Sequence, residues 1–365
     1  GGYNGANHLD DMWKFDPSTH AWTQLSPTGD APSARAYACA VYASGPDQMW
    51  LTCGEDDSGK QSDTFKYDFN TNTWSTDAGW DLGGVGRKAA MCCYDAEHGK
   101  MIIAGGVVGA YDQFVREAYA FDGASWTQKA SAPTYVAYGA GCWLPAEKRF
   151  FTVAGTTGND YKALAYNPDI NEWETLTAPP ISVKWFPGCC YDDVSGKALV
   201  FGGENVSTGA GTRELLSFHY PTGTWTELPS FNFDGGADAC SRHGFAWDSA
   251  NKVAVAWGGC NDSDPLSWHT HDAPVYFRHH HREARYRTGV IDVGETPGRD
   301  GAWNLEDVCD FLGGSDSVSY SAEYSDDGSE WHEVGPVRDG DAITQRSRYW
   351  RVTVDFTADG DEPPR

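Results

Sequence analysis

The feature that most constrains this chain is a period of about 50 residues in its glycines and tryptophans. Glycine-ended segments close at Gly2, Gly54, Gly106, Gly155, Gly203 and Gly259. Trp22, Trp74, Trp126, Trp173 and Trp225 follow the first five by 20, 20, 20, 18 and 22 residues. An aromatic residue precedes the later glycines by 12 places every time: Tyr42, Tyr94, Trp143, Tyr191 and Trp247. Self-similarity at a fixed period means a stack of like units, each unable to bury its apolar face alone.

Within one period the sequence divides into four short runs separated by turn residues, as in AYACAVY, QMWLTCG, TFKYDF and WSTD of the second copy. Alternating polarity and aromatic or β-branched content predict strands, and no stretch sustains a 3.6-residue period. Four strands per unit and about 50 residues per period predict an all-β propeller. The double glycine, the aromatic-Asp pairs Phe15-Asp16, Tyr67-Asp68 and Phe121-Asp122, and the tryptophan some six residues later resemble the kelch repeat over residues 1–260. Tyr166-Asn167 and His219-Tyr220 depart from the aromatic-Asp pair in the fourth and fifth copies. Glycine suits a strand end where neighbouring blades leave no room for a Cβ or where φ is positive. The tryptophans are read as wedges between blades, contributing about 2–3 kcal/mol of burial each.

The chain opens with an outer strand pair (DMWKFD, WTQL) and its last propeller segment is an inner pair (HGFAWD, KVAVAWGG). The preferred expectation is five blades, with these two halves completing one of them. The alternative is six, with APVYFRH at residues 273–279 as an outer strand of the last. The propeller is expected over residues 1–281, with a junction from about 260, and a β-sandwich of jelly-roll or discoidin-like type over 282–365. The Ser-Asp-Asp-Gly-x-x-Trp hairpin and the Arg-Tyr-Trp-Arg-Val strand of this second module resemble small sandwiches of phage-tail and other extracellular surface proteins. The closing DGDEPPR reads as a linker.

Cysteine alternates with other small residues at equivalent places of the inner strands (Ala40, Cys92, Gly141, Cys189, Phe245, then Val41, Cys93, Cys142, Cys190, Ala246), which predicts buried thiols. Cys240 and Cys260 flank one hairpin and are expected to form a disulfide; Cys39 and Cys53 flank the equivalent hairpin of the second copy and are a second candidate pair. A disulfide would place the protein outside a reducing cytosol. For metal, His279 and His281 point the same way along a strand, and Asp262 and Asp264 of the loop NDSDP offer carboxylate oxygens to calcium. No other cofactor is expected. The kelch resemblance includes galactose-oxidase-like copper enzymes, but His8, His219 and His243 reproduce no such spacing. No nucleophile elbow, phosphate loop or His-Glu-x-x-His run is present, so no enzyme is the leading expectation and a secreted copper oxidase the runner-up.

A rigid scaffold carrying variable loops suits binding. The expected role is that of a non-enzymatic extracellular or virion surface protein, a tail or fibre component contacting a host-surface glycan or protein receptor. Tyr111, Tyr135 and Trp185 are its candidate sugar-stacking aromatics. A purely architectural module is the third alternative, and a homo-oligomer or larger assembly with other virion or fibre chains is expected. The 52 acidic against 27 basic side chains, net −25, disfavour nucleic acid, and no apolar run approaches the roughly 18 residues that span a bilayer. The acid concentrates in turns such as DDSGK, YDDVSG, NDSDP and YSDDGS, a pattern expected of a halophilic or marine source. Screening relieves self-repulsion, so the melting temperature is expected to rise between low and high salt; a melting temperature that stays level or falls in a calorimetric salt series would refute this.

Overall fold

The computed structural model describes residues 1–16, 19, 21–76, 85–153, 155, 162–180, 184–205, 211–228 and 241–259, together with the backbone strands Val275–Arg278, Glu283–Arg287, Ile291–Asp292, Ser317–Ser325, His332–Val337 and Tyr349–Thr357. The chain divides into two compact units, Gly1–Arg278 and His279–Arg365.

Among the described residues the first unit is a propeller of six successive blade sheets, four of them complete four-stranded antiparallel blades. Blade 2 runs Cys39–Ala43, Gln48–Thr52, Thr64–Asp68, Thr73–Thr76 from the inside outward, with Thr28–Gly29 added in parallel at its outer edge. Blade 3 is Met91–Asp95, Lys100–Ala104, Ala118–Phe121, Trp126–Lys129. Blade 4 is Ala140–Leu144, Arg149–Val153, Ala163–Asn167, Glu172–Thr175. Blade 5 is Gly188–Asp192, Lys197–Phe201, Leu215–His219, Thr224–Leu228. The innermost strands of consecutive blades pack directly on one another.

The two ends of the ring correct the preferred five-blade expectation. Val253–Trp257 pairs with Gly244–Asp248 on one edge and with Val275–Arg278 on the other, giving a sixth, three-stranded blade. A strand has two edges and both are taken, so the opening outer pair, Met12–Asp16 with Ala21–Leu25, forms blade 1 by itself among the described residues. Blades 1 and 6 meet through side chains instead, with the Trp22 and Trp257 rings 4.4 Å apart.

The repeat tryptophans explain the packing between blades. Each lies on an outermost strand and faces the preceding blade. The Trp126 indole N–H donates to Thr64 Oγ1 of blade 2 at 3.2 Å, that of Trp173 to Ala130 O at 2.7 Å, and that of Trp225 to Thr177 O at 2.9 Å. Trp74 packs with Phe65 and Tyr67 of its own blade against Met12 and Leu25 of blade 1. Between blades 4 and 5 the stacked pair Phe151 and Phe218, both fully buried and 5.2 Å apart, joins Leu144, Val200 and Leu216.

The inner rim carries a second, purely backbone link. The Ala89 N–H donates to Tyr37 O at 3.0 Å, Tyr138 N–H to Ala89 O at 3.0 Å, Phe186 N–H to Tyr138 O at 2.5 Å, and Arg242 N–H to Phe186 O at 3.1 Å. Each of these five residues stands two places before an innermost strand, and all five have left-handed φ, from 53° to 62°. A non-glycine residue in that region costs roughly 1–2 kcal/mol. The double glycines follow the second strand of a blade. At Gly105, φ is 67° and a Cβ would lie 1.8 Å from Val136 O.

The second unit is described by its backbone sheet alone. Tyr349–Thr357 is central, flanked by Ser317–Ser325 and by Glu283–Arg287 with Ile291–Asp292; His332–Val337 continues beyond Ser317–Ser325, with a register shift at Ala322/Glu323. All pairings are antiparallel, and the described residues form one sheet; a second sheet, which a sandwich requires, is not among them.

The rim makes a directional prediction. Ala89→Gly removes the left-handed penalty and keeps the N–H, so it is expected to be neutral or stabilising by up to about 1 kcal/mol, whereas Ala89→Pro loses both φ and donor and costs about 3 kcal/mol or more. Urea unfolding of the two variants checks it; equal destabilisation by both would show that the rim geometry contributes nothing.

Candidate functional site

Among the described residues, the connections from the second to the third strand of a blade and the crossings between blades emerge on the rim side. The connections form small hairpins there: Gly2–Tyr3 with His8–Leu9, Glu55–Asp56 with Gly59–Lys60, and Val107–Val108 with Gln113–Phe114, to which Arg87–Lys88 adds a third strand. Lys184–Trp185 pairs with Glu204–Asn205 in the same way. These hairpins stand around the rim bonds, where the side chains of Tyr37, Tyr138, Phe186 and Arg242 meet.

The result is an aromatic cluster drawn from several blades. Tyr37 lies 6.4 Å from Tyr138 and 5.8 Å from Phe186; Tyr138 lies 4.9 Å from Phe186, 5.5 Å from Trp185 and 5.9 Å from Phe114. All five rings are half-buried. Two cations edge the cluster: Arg242 sits 4.6 Å over the Phe186 ring and Lys88 5.9 Å over that of Tyr37. Both are charge-paired, Arg242 with Glu204 at 2.8 Å and Lys88 with Glu55 at 2.7 Å and Asp112 at 3.6 Å. Lys60 joins the same network through Asp112 at 2.7 Å.

The electrostatics follow from that packing. Partial burial works against the Lys88 ammonium, but its hydrogen bond to Glu55 and the nearby Tyr138 and Asp112 outweigh it and raise its pKa. Hydrogen bonding from Lys60, together with the Lys88 charge, holds Asp112 below the usual carboxylate range. Burial pushes the Tyr138 hydroxyl up. At Asp56, burial is opposed by hydrogen bonds from the Ser58 and Ser33 hydroxyls and the Ser58 N–H, and by the Arg35 charge, and the carboxyl is brought down to about 2.

The comparisons with known proteins agree with this architecture. The family described as the KLHDC2/KLHL20/DRC7 Kelch-repeats domain matches residues 1–183, half of the chain. The chain belongs to the kelch-repeat family. Kelch-like protein 23 of Pongo abelii is 27% identical over 240 residues, and Kelch-like protein 23 of Homo sapiens 26%, each alignment covering 63% of this chain and 39% of the relative. The chain thus spans about two fifths of the length of these curated relatives.

Of the aromatics expected to bind, Trp185 alone belongs to the kelch rim cluster; its indole N–H is buried with no acceptor among the described residues. Tyr111 stands at the tip of the Val107–Val108/Gln113–Phe114 hairpin, 91% exposed, and Tyr135 precedes the buried Val136 at 51%. Asp262, Asp264, His279, His281, Cys240 and Cys260 lie outside the described residues. His8 pairs with Asp57 at 2.8 Å, His219 with Thr222 Oγ1 at 2.9 Å, and the His243 ring packs on Phe201 and Phe245. Among the described residues no three metal-ligating side chains gather.

The candidate disulfide Cys39–Cys53 is not formed: both thiols are free. The two thiols are neighbours, and their interaction raises the Cys39 pKa and lowers that of Cys53, which occupies the first-glycine place of the double-glycine position with φ 62°; the Cys39 thiol also donates into blade 3, to Ala90 O at 3.3 Å, so that it is engaged across the blade interface.

Sequence reasoning missed Tyr37, Tyr138, Phe186, Arg242 and Lys88. A signal was present: Tyr37, Ala89, Tyr138, Phe186 and Arg242 each precede the second glycine of their copy by 17 residues. Because these residues share a backbone conformation and not a side-chain type, a search for recurring identities passes over them.

Asp56 yields the pH prediction. Its folded pKa is depressed, so its contribution to stability is complete above the ordinary aspartate value, near 4, and is lost as pH falls through about 2. Unfolding free energy is therefore expected to decline between about pH 4 and pH 2, with a shallower decline in Asp56→Asn; identical slopes in a urea and pH series would refute the assignment.

Proposed function

We propose that this kelch propeller is a non-catalytic recognition module that holds a segment of a partner protein on the inner rim of its hairpin-bearing side. The observation that carries the reading is the convergence there of Tyr37, Phe114, Tyr138, Trp185 and Phe186 with Lys88 and Arg242, from blades that are distant in sequence. Half-buried aromatics beside arginine are the residue types that carry most binding energy in protein interfaces. Kelch repeats generally mediate protein–protein interactions, which supports a protein partner over a reaction.

A second reading rests on Tyr111 and Tyr135, whose exposure of 91% and 51% leaves ring faces free to stack on sugars. In that reading the chain is an extracellular adhesion component, of a virion tail or fibre, contacting host-surface glycan.

Panning a displayed peptide library and a glycan array with the purified chain separates the two. Rim recognition predicts selected peptides whose affinity falls at least about tenfold in Trp185→Ala and in Arg242→Ala and is unchanged in Tyr111→Ala. Glycan signals lost in Tyr111→Ala or Tyr135→Ala would establish the second reading. Peptide binding indifferent to Trp185 and Arg242 would overturn the first.

A further inference from the structure

The innermost strands carry sulfur in a pattern that crosses blade interfaces. Along such a strand the first and third residues face the next blade and the second faces the preceding one. Cys39 is first in the strand of blade 2, and its thiol donates to Ala90 O of blade 3 at 3.3 Å. Cys92 is second in the strand of blade 3, and its thiol donates back to Ala40 O of blade 2 at 3.7 Å. The two sulfurs thus enter one interface from opposite sides and belong to one cluster, in which Cys39 also neighbours Cys53 of its own blade. The arrangement recurs between blades 4 and 5, where Cys142, third in its strand, and Cys189, second in its own, pack into one cluster. Each pair joins a buried thiol to a half-exposed one. Cys93 and Cys190 differ: they are buried in apolar clusters, Cys93 with Ile102, Trp143 and Phe150, and Cys190 with Leu199, Phe201 and Ala254.

We propose that Cys39 with Cys92, and Cys142 with Cys189, are two modification sites at which inter-blade disulfides form by exchange with a low-molecular-weight disulfide such as oxidised glutathione. The half-exposed Cys92 is the entry point. It loses its proton to solvent, its thiolate attacks one sulfur of the glutathione disulfide, that S–S bond breaks, and one glutathione thiolate leaves and is protonated. Cys39 then gives up its proton and attacks the Cys92 sulfur, expelling the second glutathione thiolate, which is protonated in turn. Two protein thiols are oxidised and one disulfide is reduced to two thiols; Cys189 and Cys142 repeat the sequence.

Position gives the bonds a consequence. Cys39 and Cys92 follow Tyr37 and Ala89 by two and three residues, and Cys142 and Cys189 follow Tyr138 and Phe186 by four and three. Each disulfide would therefore lie beside a rim hydrogen bond and fix the spacing of the two blades that the bond joins. Hydrogen bonding to neighbouring thiols and burial push Cys39 and Cys142 up, so the resolving step waits on prior attack at the half-exposed partner.

The test equilibrates the purified chain in glutathione buffers from reducing to oxidising, quenches with acid, alkylates under denaturation, digests without reductant and maps linked peptides by mass spectrometry. Expected are Cys39–Cys92 and Cys142–Cys189 linkages that appear as the buffer becomes oxidising and vanish on return to reduced glutathione, with Cys93 and Cys190 alkylated throughout. Cys92→Ser is expected to remove the first linkage and spare the second, and Cys189→Ser the reverse, with tryptophan fluorescence reporting that each remains folded. If a variant does not fold, the linkages of the unsubstituted chain decide. Four reduced thiols in the most oxidising buffer, glutathione retained on Cys92 and Cys189 without resolution, or linkage of Cys39 to Cys53 would each overturn the proposal.

Discussion

The structure depends on the backbone hydrogen bonds that run residue to residue around the inner rim. A blade's sheet satisfies its own strands, but nothing in the sheet fixes where the next blade begins. The rim does so: Ala89 donates to Tyr37, Tyr138 to Ala89, Phe186 to Tyr138 and Arg242 to Phe186. Each donor can reach the preceding carbonyl because its residue is left-handed, a conformation that side chains other than glycine resist. A satisfied buried hydrogen bond avoids a desolvation cost of about 1–3 kcal/mol, which is the order of the strain it offsets. The gain is a common origin for all the innermost strands, and with it the alternation that sends one side chain to the next blade and the following one back.

The outer ends are held by a different device working in the same direction. Each repeat tryptophan leans on the preceding blade, three of them through an indole hydrogen bond and Trp22 by ring contact with Trp257. The ring is thus linked by backbone polarity inside and by aromatic area outside. Between blade 6 and blade 1 there is no strand pairing among the described residues, and the Trp22 and Trp257 rings meet there.

What the sequence disclosed follows from which of these devices uses residue identity. The tryptophans, the double glycines and the alternating inner strands repeat as side-chain types, so the period, the all-β class and the kelch resemblance were legible. The blade count was not, because Val253–Trp257 has two edges and sequence alone does not say whether Val275–Arg278 or Met12–Asp16 occupies the outer one. The rim was not, because Tyr37, Ala89, Tyr138, Phe186 and Arg242 have only their φ in common. Trp185, named as a sugar-stacking aromatic, is half-buried and packs against Tyr138. The cysteines were correctly read as small residues of tight strands and Cys53 is a neighbour of Cys39, yet register brings Cys39 opposite Thr52, and the hairpin gives no sign that the thiol also reaches the next blade.

The same left-handed residues also explain why the proposed recognition surface lies where it does. A residue with positive φ at the start of an innermost strand turns its side chain away from the blade it introduces, over the open end of the ring. Five blades doing this in phase place five side chains at the rim, whatever those side chains are; the backbone supplies the location and the sequence is free to vary the chemistry. Here the variation is Tyr, Ala, Tyr, Phe and Arg, and the single alanine leaves space in which Lys88, its neighbour in sequence, extends over the Tyr37 ring. A position held by backbone and not by side chain can change its occupant without loss of the ring. In this family of folds that separation makes the rim the surface on which specificity can diverge while the blades around it stay the same.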